Sequence, residues 1–199
     1  MERANEVLEF WFGRGPWDGA RLAERSRFWF GGGDDALVRS TLEPMLERAS
    51  RGEFAAWAAS PKRRLALIIL FDQVPRSAYR GTAAAFAFDR EALALSLEGL
   101  QLAADAALDP PERLFFYLPL EHAESMEAQD TAVAALERLA AEVSAEFKGA
   151  CEGWLGYARR HREIIAKFGR FPYRNKVLNR ESTPAEIEWL AAQSDHFGQ

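Results

Sequence analysis

Apolar positions along this chain recur three and four residues apart, the period of an α-helix, and no stretch alternates with the period of two that marks a strand. Asn5 to Phe12 reads as a short amphipathic helix broken by Gly13-Arg14-Gly15-Pro16, and Gly19 to Phe30 as a second that stops at Gly31-Gly32-Gly33. Asp34 has the chemistry of an N-cap for a helix running to about Ser50, with a kink expected at Pro44. Ser60-Pro61 supplies the next start. It leads into Leu65 to Phe71, a run apolar on every face, which predicts a buried central helix ending or bending at Pro75. Thr82 caps a predicted long helix to about Ala107, and Pro111 to Tyr117 begins another that Pro119 interrupts. Ser125 to Lys148 reads as one amphipathic helix, ended by Gly149, with Val133, Leu136, Leu139, Ala140 and Val143 on its stripe. Glu152 to Phe168 follows with Gly169 as its C-cap, and Thr183-Pro184-Ala185-Glu186 forms a capping box for a last helix through about Ala192. The expectation is all-α: a bundle of helical hairpins with about eight to ten helices and no sheet. It spans residues 1–199 as one domain, undivided or built from two intimately packed subdomains sharing a core.

Composition narrows the classes of function. With 48% hydrophobic residues and six Trp the chain is not intrinsically disordered. A net charge of −5 gives the whole chain no general polyanion-binding signature, so a nucleic-acid partner is not expected. The single cysteine, Cys151, excludes an internal disulfide framework and a thiolate zinc cluster. No basic stretch followed by an apolar core opens the sequence, and the longest apolar run is far short of the roughly 20 residues that cross a bilayer. A cytoplasmic location away from membranes follows by default. No dinucleotide-binding glycine pattern, phosphate loop, nucleophile elbow or HExxH is present, and His122-x-Glu124 alone is too sparse for a metal, so neither cofactor nor metal is called for.

Three stretches carry polar groups where a core is expected. In the first, Asp72 continues the most apolar helix, with Gln73, Arg76, Tyr79 and Arg80 following and Phe86 and Asp89 beyond. A carboxylate there needs a partner. Arg76 and Arg80 would share its side, either as a structural brace or as a preformed guanidinium pair for a carboxylate or phosphate. In the second, Tyr117 precedes Glu121-His122-Ala123-Glu124, and His122, Ser125 and Gln129 fall on one helical face. Glu121 or Glu124 beside the imidazole would raise its pKa and make an acid/base pair, or form a structural hydrogen bond. In the third, His161 on an apolar face leads into Arg170, Arg174 and Asn175 alternating with aromatics. Residues 159–180 hold eight Lys or Arg against one Glu. This basic island reads either as an anion site or as a counterweight to the acidic helix that precedes it.

Phe71-Asp72-Gln73-Val74-Pro75-Arg76, Phe115-Phe116-Tyr117-Leu118-Pro119-Leu120-Glu121-His122 and Phe168-Gly169-Arg170-Phe171-Pro172-Tyr173-Arg174-Asn175, in that order, resemble the bacterial domain-of-unknown-function 924 family. Val7 to Phe12 and Glu181 to Pro184 extend the resemblance over nearly the whole chain. It implies a helical, tetratricopeptide-repeat-like fold and no established activity. The family pattern usually has His at Tyr173, Gly at Asn179 and Ser at Ala123, which shifts weight to His122 and His161.

The resulting expectation is one polar cavity that binds a small anionic molecule. Asp72, Gln73, Arg76, Tyr79, Arg80, Tyr117, Gln129, His161, Arg170, Arg174 and Asn175 would contact the ligand, and His122 with Glu121 or Glu124 would be the acid/base candidates. The rival expectation is an adaptor that binds a peptide or protein in a groove, with these polar residues bracing helices.

Overall fold

The computed structural model describes residues 2–31 and 34–192. Every regular element among them is helical: α1 (Glu2–Phe12), α2 (Gly19–Phe30), α3 (Asp35–Ser50), α4 (Pro61–Ile68), α5 (Val74–Ala78), α6 (Asp89–Gln101), α7 (Pro110–His122), α8 (Met126–Glu142), α9 (Ala145–Phe168) and α10 (Pro184–Ala192). Of the expected glycine stop after α2, Gly31 is the C-cap, while Gly32 and Gly33 lie outside the described residues.

Two helices form the centre. Leu65 to Ile68 of α4 and Leu114 to Glu121 of α7 are buried throughout, as a helix apolar on all faces must be. Around them pack α1 and α6 against α4, α6 and α8 against α7, and α3 against α5. The ion pairs Arg159–Glu137 and Arg162–Asp130 run in opposite senses along α9 and α8, so these helices form an antiparallel hairpin. Trp11, Phe12 and Trp29 meet Phe115 edge to face and pin the first two helices to α7. A smaller apolar cluster of Ile164, Ile165 and Phe171, with Phe168 and Trp189 against it, anchors the C-terminal segment.

Four boundaries differ from the expectation. Residues 82–107 are not one helix. Ala83–Phe86 and Ala104–Ala107 are 3-10 turns on either side of α6, which ends before Ala103, in the left-handed region at φ 51°. Alanine is the best helix former, but propensity is a weak force beside tertiary contacts, which decide where an Ala-rich run holds. Pro119 does not interrupt α7, whose neighbours enclose it from Leu114 to Glu121 and outweigh the missing donor. The predicted Ser125–Lys148 helix breaks at Val143 and Ser144, so that Gly149 lies inside α9. Of the end or bend expected at Pro75, the end does not occur. A π-helical turn, Ile69–Gln73, joins α4 to α5, and Val74 N–H donates to the Ile69 carbonyl five residues back. The wider turn makes room for a proline ring that would otherwise strike the carbonyl four residues before it.

Gly169 caps α9 at φ 70°, and Thr183 and Glu186 exchange the two bonds of a capping box. Asn179 also has positive φ, 52°, a conformation glycine adopts freely and asparagine tolerates.

Candidate functional site

The π turn places Asp72 in the interior, wholly buried. Its Oδ1 accepts from Nδ1 of His122 at 2.8 Å and lies 3.1 Å from Nη1 of Arg76, while Oδ2 accepts from Nε2 of Gln73 at 2.6 Å. Burial opposes the charge on Asp72, but Arg76 and then His122 overcome it and hold the carboxyl at about 2. An ionised carboxylate only accepts, so the His122 proton sits on Nδ1. Burial, and next the Arg76 charge, push His122 down to about 4 against the pull of Asp72. The imidazole is neutral at pH 7 and oriented by Asp72, and Nε2 makes no hydrogen bond to the described residues.

Two arginines flank this pair. Nη1 of Arg76 donates to the Asp72 main-chain carbonyl at 2.8 Å and lies 2.8 Å from Oδ1 of Asp89. Nη1 of Arg174 donates to the His122 carbonyl at 3.0 Å and reaches Oδ2 of Asp89 at 3.5 Å. The Arg174 guanidinium lies 4.6 Å from the Phe86 ring and 4.5 Å from that of Phe171. Phe171 is fully buried and Phe86 half-buried, so Phe86 is the outer wall. Among the described residues, Nε and Nη2 of Arg76 and Nε of Arg174 are buried with no hydrogen-bond partner. Each such group costs about 1–3 kcal/mol, and native structures rarely keep three together.

A second carboxylate–imidazole pair lies behind. Oε2 of Glu121 is 3.5 Å from Nδ1 of His161, which also faces the Tyr157 carbonyl at 3.1 Å. The two imidazole rings are 6.4 Å apart. Burial pushes the Glu121 carboxyl up, partly opposed by His161.

The structure thus gathers Asp72, Gln73 and Arg76 from the first motif, His122 from the second and Arg174 from the third, with Glu121 and His161 behind them. It sends the other expected site residues elsewhere. Tyr79 donates to Glu43, and Arg80 pairs with Asp35 rather than extending the Asp72–Arg76 row. Tyr117 points to Asp105 and Arg113. Gln129 binds the carbonyls of Glu121 and Ala123 at the end of α7. Arg170 pairs with Glu186, and Asn175 bonds Ser182. Glu124 holds Arg180 and the Phe171 N–H, so neither Glu124 nor Glu121 is the partner of His122. Asp72 takes that role, and the His122 pKa falls where a rise was expected. Much of the basic island is paired with carboxylates, through Arg159, Arg162, Arg170 and Arg180. An open depression of about 580 Å³ lies by Lys167, Phe168, Arg170, Thr183, Ala185 and Glu186, and none of the Asp72–His122 cluster lines it. Asp89, which bridges both arginines, stands in the sequence beyond the first motif and outside all three. Its role depends on standing at the first position of α6, and the predicted continuous helix concealed that start.

A profile of the family described as "Bacterial protein of unknown function (DUF924)" matches residues 7–194. The chain belongs to the DUF924 family. The solved structure of a protein of unknown function from Agrobacterium tumefaciens is similar to this DUF924 chain, with a TM-score of 0.79 and 31% identity, covering 96% of this chain and 97% of the other. No curated protein matches. Among the described residues no group of three or more His, Cys, Asp or Glu is placed to hold a metal ion, and no helix is long and apolar enough to cross a membrane.

Proposed function

We propose that this protein binds a small anionic molecule at the Arg76–Arg174 pair, beside the Asp72–His122 dyad. The carrying observation is the set of three buried guanidinium nitrogens without partners. A buried donor left unmade is costly, and an anion's oxygens would complete it. Arg174 is short of compensation in its own right: burial lowers its pKa, and Arg76 adds to the effect. The neutral imidazole next to the arginines presents Nε2 as a proton acceptor, which equips the same site to act on a ligand as well as hold it. Tyr173, whose phenol burial raises to about 12, keeps its proton and stands in the same wall.

The test is thermal melting of the full chain in a panel of phosphorylated and carboxylated metabolites, against sodium chloride at equal ionic strength. A ligand at 100 times its Kd adds about 2.7 kcal/mol of stability by mass action. Arg174→Gln should melt cooperatively in chloride and lose the ligand-dependent rise. Equal behaviour of wild type and variant across the panel would remove the reading.

A further inference from the structure

We infer that the anion is a monocarboxylate, an inference that rests on the anion-binding reading above and narrows it. The hydrogen bond of Arg76 to Asp72 and its shortest ion-pair distances to Asp72 and Asp89 all fall on Nη1. Nε and Nη2 together form the side-on edge of the guanidinium, two parallel N–H groups spaced for two oxygens of one planar group. That whole edge is buried and without a partner, and Nε of Arg174 adds a third donor nitrogen.

Charge and donor number then separate the candidate anions. The groups facing the site are Arg76 and Arg174 against Asp72 and Asp89, with formal sum zero, and a neutral His122. Glu121 with His161, and Glu124 with Arg180, make separate pairs at its border. A monoanion entering this neutral, buried cluster adds one charge, and three donors suit its two oxygens. A phosphate dianion adds two charges and a third oxygen, with no further cation to meet them. Phe86 and Tyr173, both half-buried, leave apolar surface for the body of the acid.

The experiment titrates the full chain with sodium acetate, sodium benzoate, sodium sulfate and sodium phosphate at pH 7 and constant ionic strength. It follows the melting temperature of wild type, Arg76→Lys and Arg174→Gln. Sulfate and phosphate stabilise proteins generally by exclusion from the surface, so the readout is the rise in wild type minus the rise in each variant. Calorimetric titration of wild type with each of the four anions gives the affinities directly and does not depend on the variants folding, and the same titration of Arg76→Lys gives its loss. The expected result is a carboxylate-specific rise in wild type, at least a tenfold loss of affinity in Arg76→Lys, which keeps the charge without the two-pronged edge, and no specific rise with phosphate or sulfate. Phosphate or sulfate binding more tightly than either carboxylate, with that binding lost in the variants, overturns the carboxylate assignment and leaves anion binding standing. No heat with any of the anions, or a rise undiminished in both variants, overturns both.

Discussion

His122→Asn tests the dyad through pH. In the folded chain the imidazole titrates at about 4 against an ordinary 6.5, whereas the unfolded chain takes up the proton near the ordinary value. Between these values the unfolded state binds more protons, so stability falls as pH falls, by about 1.4 kcal/mol per pH unit. From pH 7 to pH 4 the loss through His122 is about 3 kcal/mol. Asparagine offers an amide N–H close to the Nδ1 position, so the variant keeps the donor to Asp72 while removing the titration. Arg76, Arg174, Glu121 and His161, the other charged or titratable groups around the ring, are common to both proteins and largely cancel in the difference. Urea unfolding followed by tryptophan fluorescence across this pH range gives both curves. Wild type should lose about 3 kcal/mol more than His122→Asn on acidification. Parallel curves would show that His122 is not held neutral by burial and Arg76, and the assignment of Nε2 as a free base would fall with it.

Glu121→Gln should act with the opposite sign: a carboxyl whose folded pKa is raised gains stability as pH falls through that value, so wild type should strengthen relative to the variant toward pH 4.5, and a constant gap would count against burial of the carboxyl. Gly99→Ala should destabilise by about 1–3 kcal/mol, because its Cβ would stand 2.3 Å from Cζ of Phe116 and 2.8 Å from Cδ of Arg64 where α6 meets α7; an unchanged melting temperature would contradict that close approach. Gln129→Leu strips the amide from the carbonyls of Glu121 and Ala123, at about 1–3 kcal/mol in urea unfolding; a neutral result would mean those carbonyls find other donors.

The periodicity of the sequence was enough for the helical class, the buried α4, and the caps at Gly169 and Thr183, because each depends on residues within one or two turns. The site was readable as three motifs but not as a set of contacts. Within each motif the polar side chains diverge: Arg76 turns inward while Arg80, four residues on, reaches α3, and Arg174 faces His122 while Arg170 faces α10. Those directions are set by carboxylates far along the chain, Asp89 on α6, Asp35 on α3 and Glu186 on α10, which no local spacing reveals. The pKa of His122 misled for the same reason. Its neighbours in sequence are glutamates, and its neighbours in space are Asp72 and two arginines.

The turn Ile69–Gln73 has one residue more than an α-helical turn needs, and that surplus sets the phase between the two halves of the α4–α5 rod. Removing one residue there, with Pro75→Ala to permit an ordinary turn, would rotate everything beyond it by about 100°. The greasy half, Leu65 to Ile68, would keep its seat, while Arg76 would swing away from Asp89 and His122. Val74 and Ala78, buried in the same segment that packs on α3, would turn with it, so one surplus residue sets the phase of core and polar centre together.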